Sequence, residues 1–282
     1  MGRINKKAVE IFKSDPNHVI SKEWIKTLQY QVDLFAAKEI KIMSRLGLGS
    51  GGRPMLDLGC GIGAFSKALR KHFPSQKIVA TDNNEAFVTI FRNKLLSDPD
   101  PLTELIKWDT MNEATPPAVR KCHTVVMRLV LEYIKDPVAM LLHLKQCLPP
   151  RSLIFIIEED DYFFQIHPDL DALWKVVKTW GLARERLDFK KYFGRQVPCV
   201  ATNAGLKVLH AELIGHTNFD SDLREMFDYF VATMHLLHNH LPREIDPKEI
   251  SQMERQFREY VAQNGNNCLL IVPYILTVAQ TP

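Results

Sequence analysis

The 282-residue chain is 46% hydrophobic, enough for one large packed domain or for a core carrying inserted caps. Its net charge of +3, from 36 Lys and Arg against 33 Asp and Glu with no block rich in Lys or Arg, leaves no footprint of nucleic-acid binding. No apolar run approaches the ~20 residues of a membrane span, the N-terminus lacks a signal-peptide layout, and five scattered cysteines suggest neither a disulfide framework nor a metal site, so a reducing cytoplasm is the expected setting.

In chain order, Arg3, Lys6 and Lys7 read as a solvated terminus. Ser21 can cap a long helix, because Trp24, Ile25, Leu28, Val32, Phe35, Ala36, Ile40 and Met43 recur on a helical period. The helix is expected to reach about Leu46, and Gly49-Ser50-Gly51-Gly52 follows as a hinge-like link. Residues 1–50 are therefore expected to form a helical lid.

Strand and helix then alternate. Strands are expected at Met55 to Leu58, Lys77 to Thr81, Leu105 to Trp108, His123 to Met127 and Leu153 to Ile157, with helices from about Glu85 to Leu96 and Pro137 to Leu148. The last strand is an unbroken apolar run, the mark of a parallel sheet covered on both faces. After Glu158 the rhythm breaks into helices over Pro168 to Leu187 and Phe193 to Ala204, a strand from Leu206 to Ile214, helices over Asp220 to His240 and Pro247 to Gln263, and a strand from Cys268 to Val278. Alternation of this kind builds a doubly wound sheet that binds ligands beyond the carboxyl ends of its strands.

The run Asp57-Leu58-Gly59-Cys60-Gly61-Ile62-Gly63-Ala64 lies where the first strand turns into a helix. Gly59, Gly61 and Ala64 fit the dinucleotide fingerprint, and Asp82 lies about 20 residues on, where a ribose anchor belongs. Asp57 argues the other way. A carboxylate beside the place of a pyrophosphate would repel it, and would suit a cationic or zwitterionic ligand instead. Three acids, Asp57, Asp82 and Asp109, fall at successive strand ends and so share one edge of the sheet. Each alone could be a turn or helix cap.

The D-x-G-x-G-x-G run resembles the first motif of the class I S-adenosylmethionine-dependent methyltransferases of the small-molecule type. Residues 50 to 160 carry the resemblance, including Val126 to Pro137, where the family often has a histidine in place of Tyr133. It implies S-adenosyl-L-methionine as cofactor. Asp57 would then meet the amino group of the methionine moiety, Asp82 with Asn83 beside it the ribose hydroxyls, and Asp109 with Thr110 the adenine amine. Gly59, Cys60, Gly61 and Gly63 would form the cofactor loop, with Cys60 as a small filler. Arg128 would either contact the methionine carboxylate or pair on the surface with Glu132, four residues on. Tyr30, Trp24 and Phe35 sit on the lid helix, and Tyr30 is the one expected at the cofactor.

The acidic run Glu158-Glu159-Asp160-Asp161 follows the fifth strand and, in this family, faces the methyl acceptor. Glu158, Asp160 and Tyr133 are the candidates for acid–base work, although the run also suits a solvated loop. His235, His238 and His240 read as members of an amphipathic helix, and no metal site is expected.

The expected fold is α/β, a doubly wound, mostly parallel, seven-stranded Rossmann-like sheet. Residues 51–160 are the cofactor core, 161–204 a helical insert and substrate cap, and 205–282 the end of the sheet with a helical insert at 220–263. The expected activity is methyl transfer to a small-molecule acceptor, with no nucleic-acid partner. An NAD(P)-dependent oxidoreductase or a non-catalytic S-adenosylmethionine-binding regulator are the alternatives. The oligomeric state is open.

Overall fold

The computed structural model describes residues 21–186, 189–240, 245–265 and 267–282. The basic terminus Arg3, Lys6 and Lys7, the expected helix end at Leu187 and the side chain of His240 lie outside the described residues. Helix α1 spans Lys22–Arg45 and starts where Ser21 Oγ accepts a hydrogen bond from Trp24 N at 3.1 Å. The parallel core follows as β1 (Met55–Leu58), α2 (Ala64–His72), β2 (Ile78–Asp82), α3 (Glu85–Ser97), β3 (Thr103–Lys107), β4 (Thr124–Arg128), α4 (Pro137–Cys147) and β5 (Leu153–Glu159). Asn84 caps α3, and Asp136 with Pro137 in the first turn starts α4.

After β5 come β6 (Gln165–His167), α5 (Asp171–Arg186), α6 (Val197–Asn203), β7 (Lys207–Thr217), α7 (Leu223–His240), α8 (Pro247–Asn264) and β8 (Leu269–Gln280). The sheet order is β3-β2-β1-β4-β5-β8, with β7 on the far edge of β8. β1 to β5 pair in parallel, and β8 runs antiparallel to both β5 and β7. Among the described residues the sheet has eight strands rather than the seven expected. The extra one is β6, which pairs with β8 at Leu269 to Ile271, on the edge that β5 leaves free. Three residues with only Ile166 buried are too short to show an alternating pattern in the sequence. Among the described residues no helix is long and apolar enough to cross a membrane.

Strand alternation sorts the side chains onto two faces. Leu56, Val79, Val125, Met127, Ile154 and Ile156 pack with α4 and α6, whose inward residues include Leu141, Leu144, Val197 and Ala201. Met55, Ile78, Ala80, Val126, Phe155 and Ile157 pack with α1, α2, α5, α7 and α8. The same parity puts Asp57, Asp82, Arg128 and Glu159 on the α1 face and Glu158 on the α4 face.

Arg128 meets α1 directly. Its Nε donates to Glu39 Oε2 at 2.7 Å and its Nη2 to Glu39 Oε1 at 3.1 Å and to Gln31 O at 3.2 Å. Both side chains are buried, at 6% and 0% exposure. Burial works against each charge, yet their attraction outweighs it. The Glu39 carboxyl is held below the usual range, helped by His216, and the Arg128 guanidinium above its own. Arg128 is therefore not the surface residue of an Arg128–Glu132 pair, because Glu132 turns to Arg184 instead. Phe35, Ile40 and Met43 of α1 are fully buried around the pair.

Glu39→Ala is expected to destabilise the protein by about 3–5 kcal/mol, since it strands a guanidinium in an apolar core. Equilibrium urea unfolding reads this directly. A loss below about 1 kcal/mol would mean that Arg128 is compensated from elsewhere.

Candidate active site

The loop between β1 and α2 is shaped by three left-handed glycines, with φ of 76° at Gly59, 54° at Gly61 and 77° at Gly63. A Cβ on Gly59 would strike Val130, and one on Gly63 would strike the Phe91 ring. These two glycines are wedged against the protein. A Cβ on Gly61 would meet nothing within 4 Å, so that side of the loop is open.

The open side faces a cavity of about 290 Å³ beyond the carboxyl ends of the parallel strands. The structure brings Asp57, Gly59, Cys60, Gly61, Asp82, Asn83, Asp109, Thr110, Arg128 and Tyr133 to its wall. Gly63 is not on that wall. Its place is under the loop, where its N–H bonds Cys60 O at 3.0 Å. Tyr30 is not there either; it lies beside the Lys26 ammonium, while Trp24, Leu28 and Gln31 of α1 line the cavity. The helical period explains the substitution, since Trp24, Leu28 and Gln31 recur at i, i+4 and i+7 and Tyr30 falls off that face.

Asp57 is buried and accepts a hydrogen bond from Ser66 Oγ at 2.5 Å. Burial pushes its carboxyl up to about 6, against the lowering pull of Ser66, and the nearby Asp82 adds to the rise. Asp82 accepts from Gly61 N at 2.9 Å and Asn84 N at 2.8 Å; burial raises it despite these bonds. Asp109 lies two residues beyond β3 and also caps its own turn, accepting from Met111 N at 3.0 Å and Asn112 Nδ2 at 2.8 Å. Burial drives the Cys60 thiol well above its usual range, which suits a packing role.

Four backbone donors of the loop are already used. Gly59 N and Cys60 N bond Thr81 O at 2.8 and 2.9 Å, Gly61 N bonds Asp82, and Gly63 N bonds Cys60 O. Arg128 is the sole cation among the described residues lining the cavity, and Glu39 neutralises it. A pyrophosphate would meet two carboxylates here and neither a free cation nor these four N–H groups.

Two of the three acid–base candidates lie elsewhere. Glu158 points to the α4 face, where its Oε1 accepts from Val130 N at 3.0 Å and Leu131 N at 2.6 Å. Burial, reinforced by Glu132, raises it well above the usual carboxylate range. Asp160 accepts from Arg195 Nε at 2.7 Å and Arg195 N at 3.1 Å. Tyr133 does line the cavity, with its ring edge-on to Phe189 at 4.8 Å; burial and Glu132 push its hydroxyl well above 10.

The remaining members of the acidic run, Glu159 and Asp161, form a buried cluster with Glu132 around Arg184. Neither this cluster nor Glu39 is among the site residues expected from the sequence. Glu39 did leave a signal, a carboxylate inside the apolar stripe of a helix. Arg184 on α5 left none, because its partners come from β5 and from turns remote in sequence.

Residues 56–154 match the family described as Methyltransferase domain. The malonyl-[acyl-carrier protein] O-methyltransferase of Halalkalibacterium halodurans is 25% identical over 136 residues, covering 48% of each chain. The trans-aconitate 2-methyltransferase of Variovorax paradoxus is 26% identical over 121 residues, covering 43% of this chain and 44% of its own. The chain thus matches about half the length of these curated relatives. Among solved structures, the phosphoethanolamine N-methyltransferase 2 of Haemonchus contortus, in complex with S-adenosyl-L-methionine, shares the fold with a TM-score of 0.58 at 14% identity, over 94% of this chain and 60% of that one. Matched strands, sheet order and the acid-tipped glycine loop agree with one another: residues 56–154 carry a methyltransferase domain, and the similarities are consistent with a class I small-molecule S-adenosylmethionine-dependent methyltransferase.

Proposed function

We propose that the protein is an S-adenosylmethionine-dependent methyltransferase acting on a small-molecule acceptor by in-line transfer. The observation that carries this reading is Asp57, a buried carboxylate on the cavity wall beside a loop in which the N–H groups of Gly59, Cys60, Gly61 and Gly63 are already bonded within the protein. The donor set suits a ligand with an ammonium group and hydroxyls, and it disfavours the phosphates of a nicotinamide dinucleotide. Trp108 Nε1, buried on the same wall and without a hydrogen-bond partner among the described residues, leaves a donor for a heteroatom of the ligand.

In this reading Asp57 holds the ammonium, Asp82 and Asn83 the ribose edge, and Asp109 with Thr110 the adenine edge. When bound, S-adenosylmethionine supplies an electrophilic methyl group on a sulfonium. The work left to the protein is to orient the acceptor and to exclude water. The lid reduces to the first turns of α1. Trp24 there meets Phe87 of α3 edge-on at 5.7 Å, and both rings line the cavity. The second half of α1 is core and stays fixed. Neither Glu158 nor Asp160 serves as a base, since both are engaged away from the cavity. Five thiols without a disulfide suit a reducing cytoplasm.

Calorimetry with S-adenosylmethionine, S-adenosylhomocysteine and NAD in parallel tests the proposal. Low-micromolar binding of the first two is expected, on the order of −8 kcal/mol. Binding of NAD alone would overturn it.

The pH dependence follows from Asp57. Its folded value of about 6 lies above the ordinary 3.8, so the empty site favours the protonated acid below about 6. A cationic ligand needs the ionised form. Affinity for S-adenosylhomocysteine, which keeps the ammonium, should rise with pH by up to about tenfold per unit below the folded value and level off above it. Asp57→Asn should flatten that profile and weaken binding at pH 8; a variant with the unaltered profile would remove Asp57 from the role.

The lid is tested by Trp24→Ala, expected to weaken S-adenosylhomocysteine binding about tenfold. Hydrogen exchange should show residues 22–32 better protected with ligand and residues 35–45 unchanged. Equal protection of residues 22–32 with and without ligand would make the whole helix a fixed element.

A further inference from the structure

A second cavity, of about 40 Å³, lies beyond β5 between α5, α7 and β8. Its walls include four aromatic rings, those of Phe164, Trp180, Tyr229 and Phe230, together with the carboxylate residues Glu159 and Asp161. Aromatic faces carry negative potential and attract cations, the more so where water is excluded. Thr233 also lines the cavity; it is 4% exposed and its Oγ1 has no hydrogen-bond partner among the described residues. A buried hydroxyl without a partner is rare and invites a polar ligand.

The charge around this cavity is out of balance. Glu132, Glu159 and Asp161 all surround one guanidinium, Arg184: Nη1 reaches Asp161 Oδ2 at 2.7 Å, while Nη2 lies 3.3 Å from Glu132 Oε2 and also bonds Glu159. Arg184 covers one face of Trp180 at 5.0 Å. Among the described residues, three carboxylates meet this one guanidinium and leave an excess of negative charge beside a small, aromatic-walled space. Burial, opposed by Arg184, lifts Asp161 to about 6 and Glu132 to about 7, as expected where carboxylates lack enough counter-charge. An anionic ligand would worsen the imbalance, and a cation would relieve it.

The cavity adjoins the first one. Gln31 lines the main cavity, Tyr229 lines the second, and Gln31 Nε2 donates to Tyr229 Oη at 2.9 Å. Space for a water takes ~10–15 Å³, so the second cavity admits a group of about three heavy atoms, such as the end of a short alkylammonium chain.

We infer that this cavity anchors a protonated amino group of the methyl acceptor, so that the acceptor is a small cationic amine. The inference rests on the methyltransferase reading of the main cavity. An ammonium held between carboxylates has no lone pair to attack with, so the amine is the anchor and the reacting atom lies elsewhere on the same molecule, on the side of Gln31 and Tyr229.

The test uses the full-length, ¹⁵N-labelled protein with ethylammonium chloride as the probe. Ethanol serves as its neutral counterpart and sodium chloride as the ionic control. The indole N–H resonance of Trp180, one of four tryptophans, is identified by its loss in Trp180→Phe. A saturable shift with ethylammonium is expected, with little response to ethanol or salt. Glu159→Gln should weaken ethylammonium about tenfold, and the near-isosteric Thr233→Val should weaken it too if the first variant fails to fold. An equal response to ethanol, or none to ethylammonium, would overturn the inference. S-adenosylhomocysteine is titrated into the same samples. Its binding without a response to ethylammonium would leave the methyltransferase reading standing and remove the amine anchor. A response to ethylammonium without S-adenosylhomocysteine binding would overturn the methyltransferase reading, and with it the cavity's assignment to an acceptor.

Discussion

The ion pair of Arg128 and Glu39 sets the geometry on which the rest of the site depends. It joins the last residue of β4 to the middle of α1, across 89 positions of sequence, with two hydrogen bonds in a space almost free of solvent. Removing two charges from water is costly, and an apolar pair of the same volume could give equal or greater stability. What the pair adds is direction. The bidentate fork fixes the rotation of α1 about its axis, and the bond from Arg128 to Gln31 O holds the helix about two turns nearer its N-terminus. With that rotation set, Trp24, Leu28 and Gln31 close one side of the main cavity. A helix held only by apolar contacts could slip by one ridge and bring Tyr30 there instead.

Strand parity supplies the second constraint. Asp57, Asp82, Arg128 and Glu159 come from four strands, yet alternate pointing puts all of them on the α1 face. Glu158 and Glu159 are neighbours in the chain and separate completely. One pins the backbone of Val130 and Leu131, and the other enters the cluster around Arg184. Two adjacent residues of the same type thus perform unrelated tasks because the period of a strand is two.

That parity marks the limit of what the sequence disclosed. The glycine loop, the strand-end acids and the β-α alternation were legible because each depends on local spacing, 2.0 or 3.6 residues or a fixed turn. Of the loop and strand-end residues, all but Gly63 reached the cavity wall. The partner of Arg128 was not legible. The spacing suggested Glu132, but the real partner is on another element, and a long-range ion pair leaves no period. Tyr30 was misplaced by one helical position. Glu158 and Asp160 were chosen over Glu159 and Asp161 within an undivided acidic run, where the residue at which β5 ends decides which side chains turn inward. The short β6 was invisible for want of length.

The self-satisfied glycine loop bears on competition among ligands. Many metabolites carry an adenosine half, and in the proposed reading those joined to phosphates would present the same ring and ribose to Asp82 and Asp109. An adenosine site with spare N–H groups would admit them. In this chain those donors are committed to Thr81, Asp82 and Cys60, and Asp57 stands behind them. A phosphate seeking those four donors would break an existing hydrogen bond and face a carboxylate at once, so the unliganded backbone itself works against it. Selectivity of this kind comes from penalties on the wrong ligand, and it needs no extra contact to the right one.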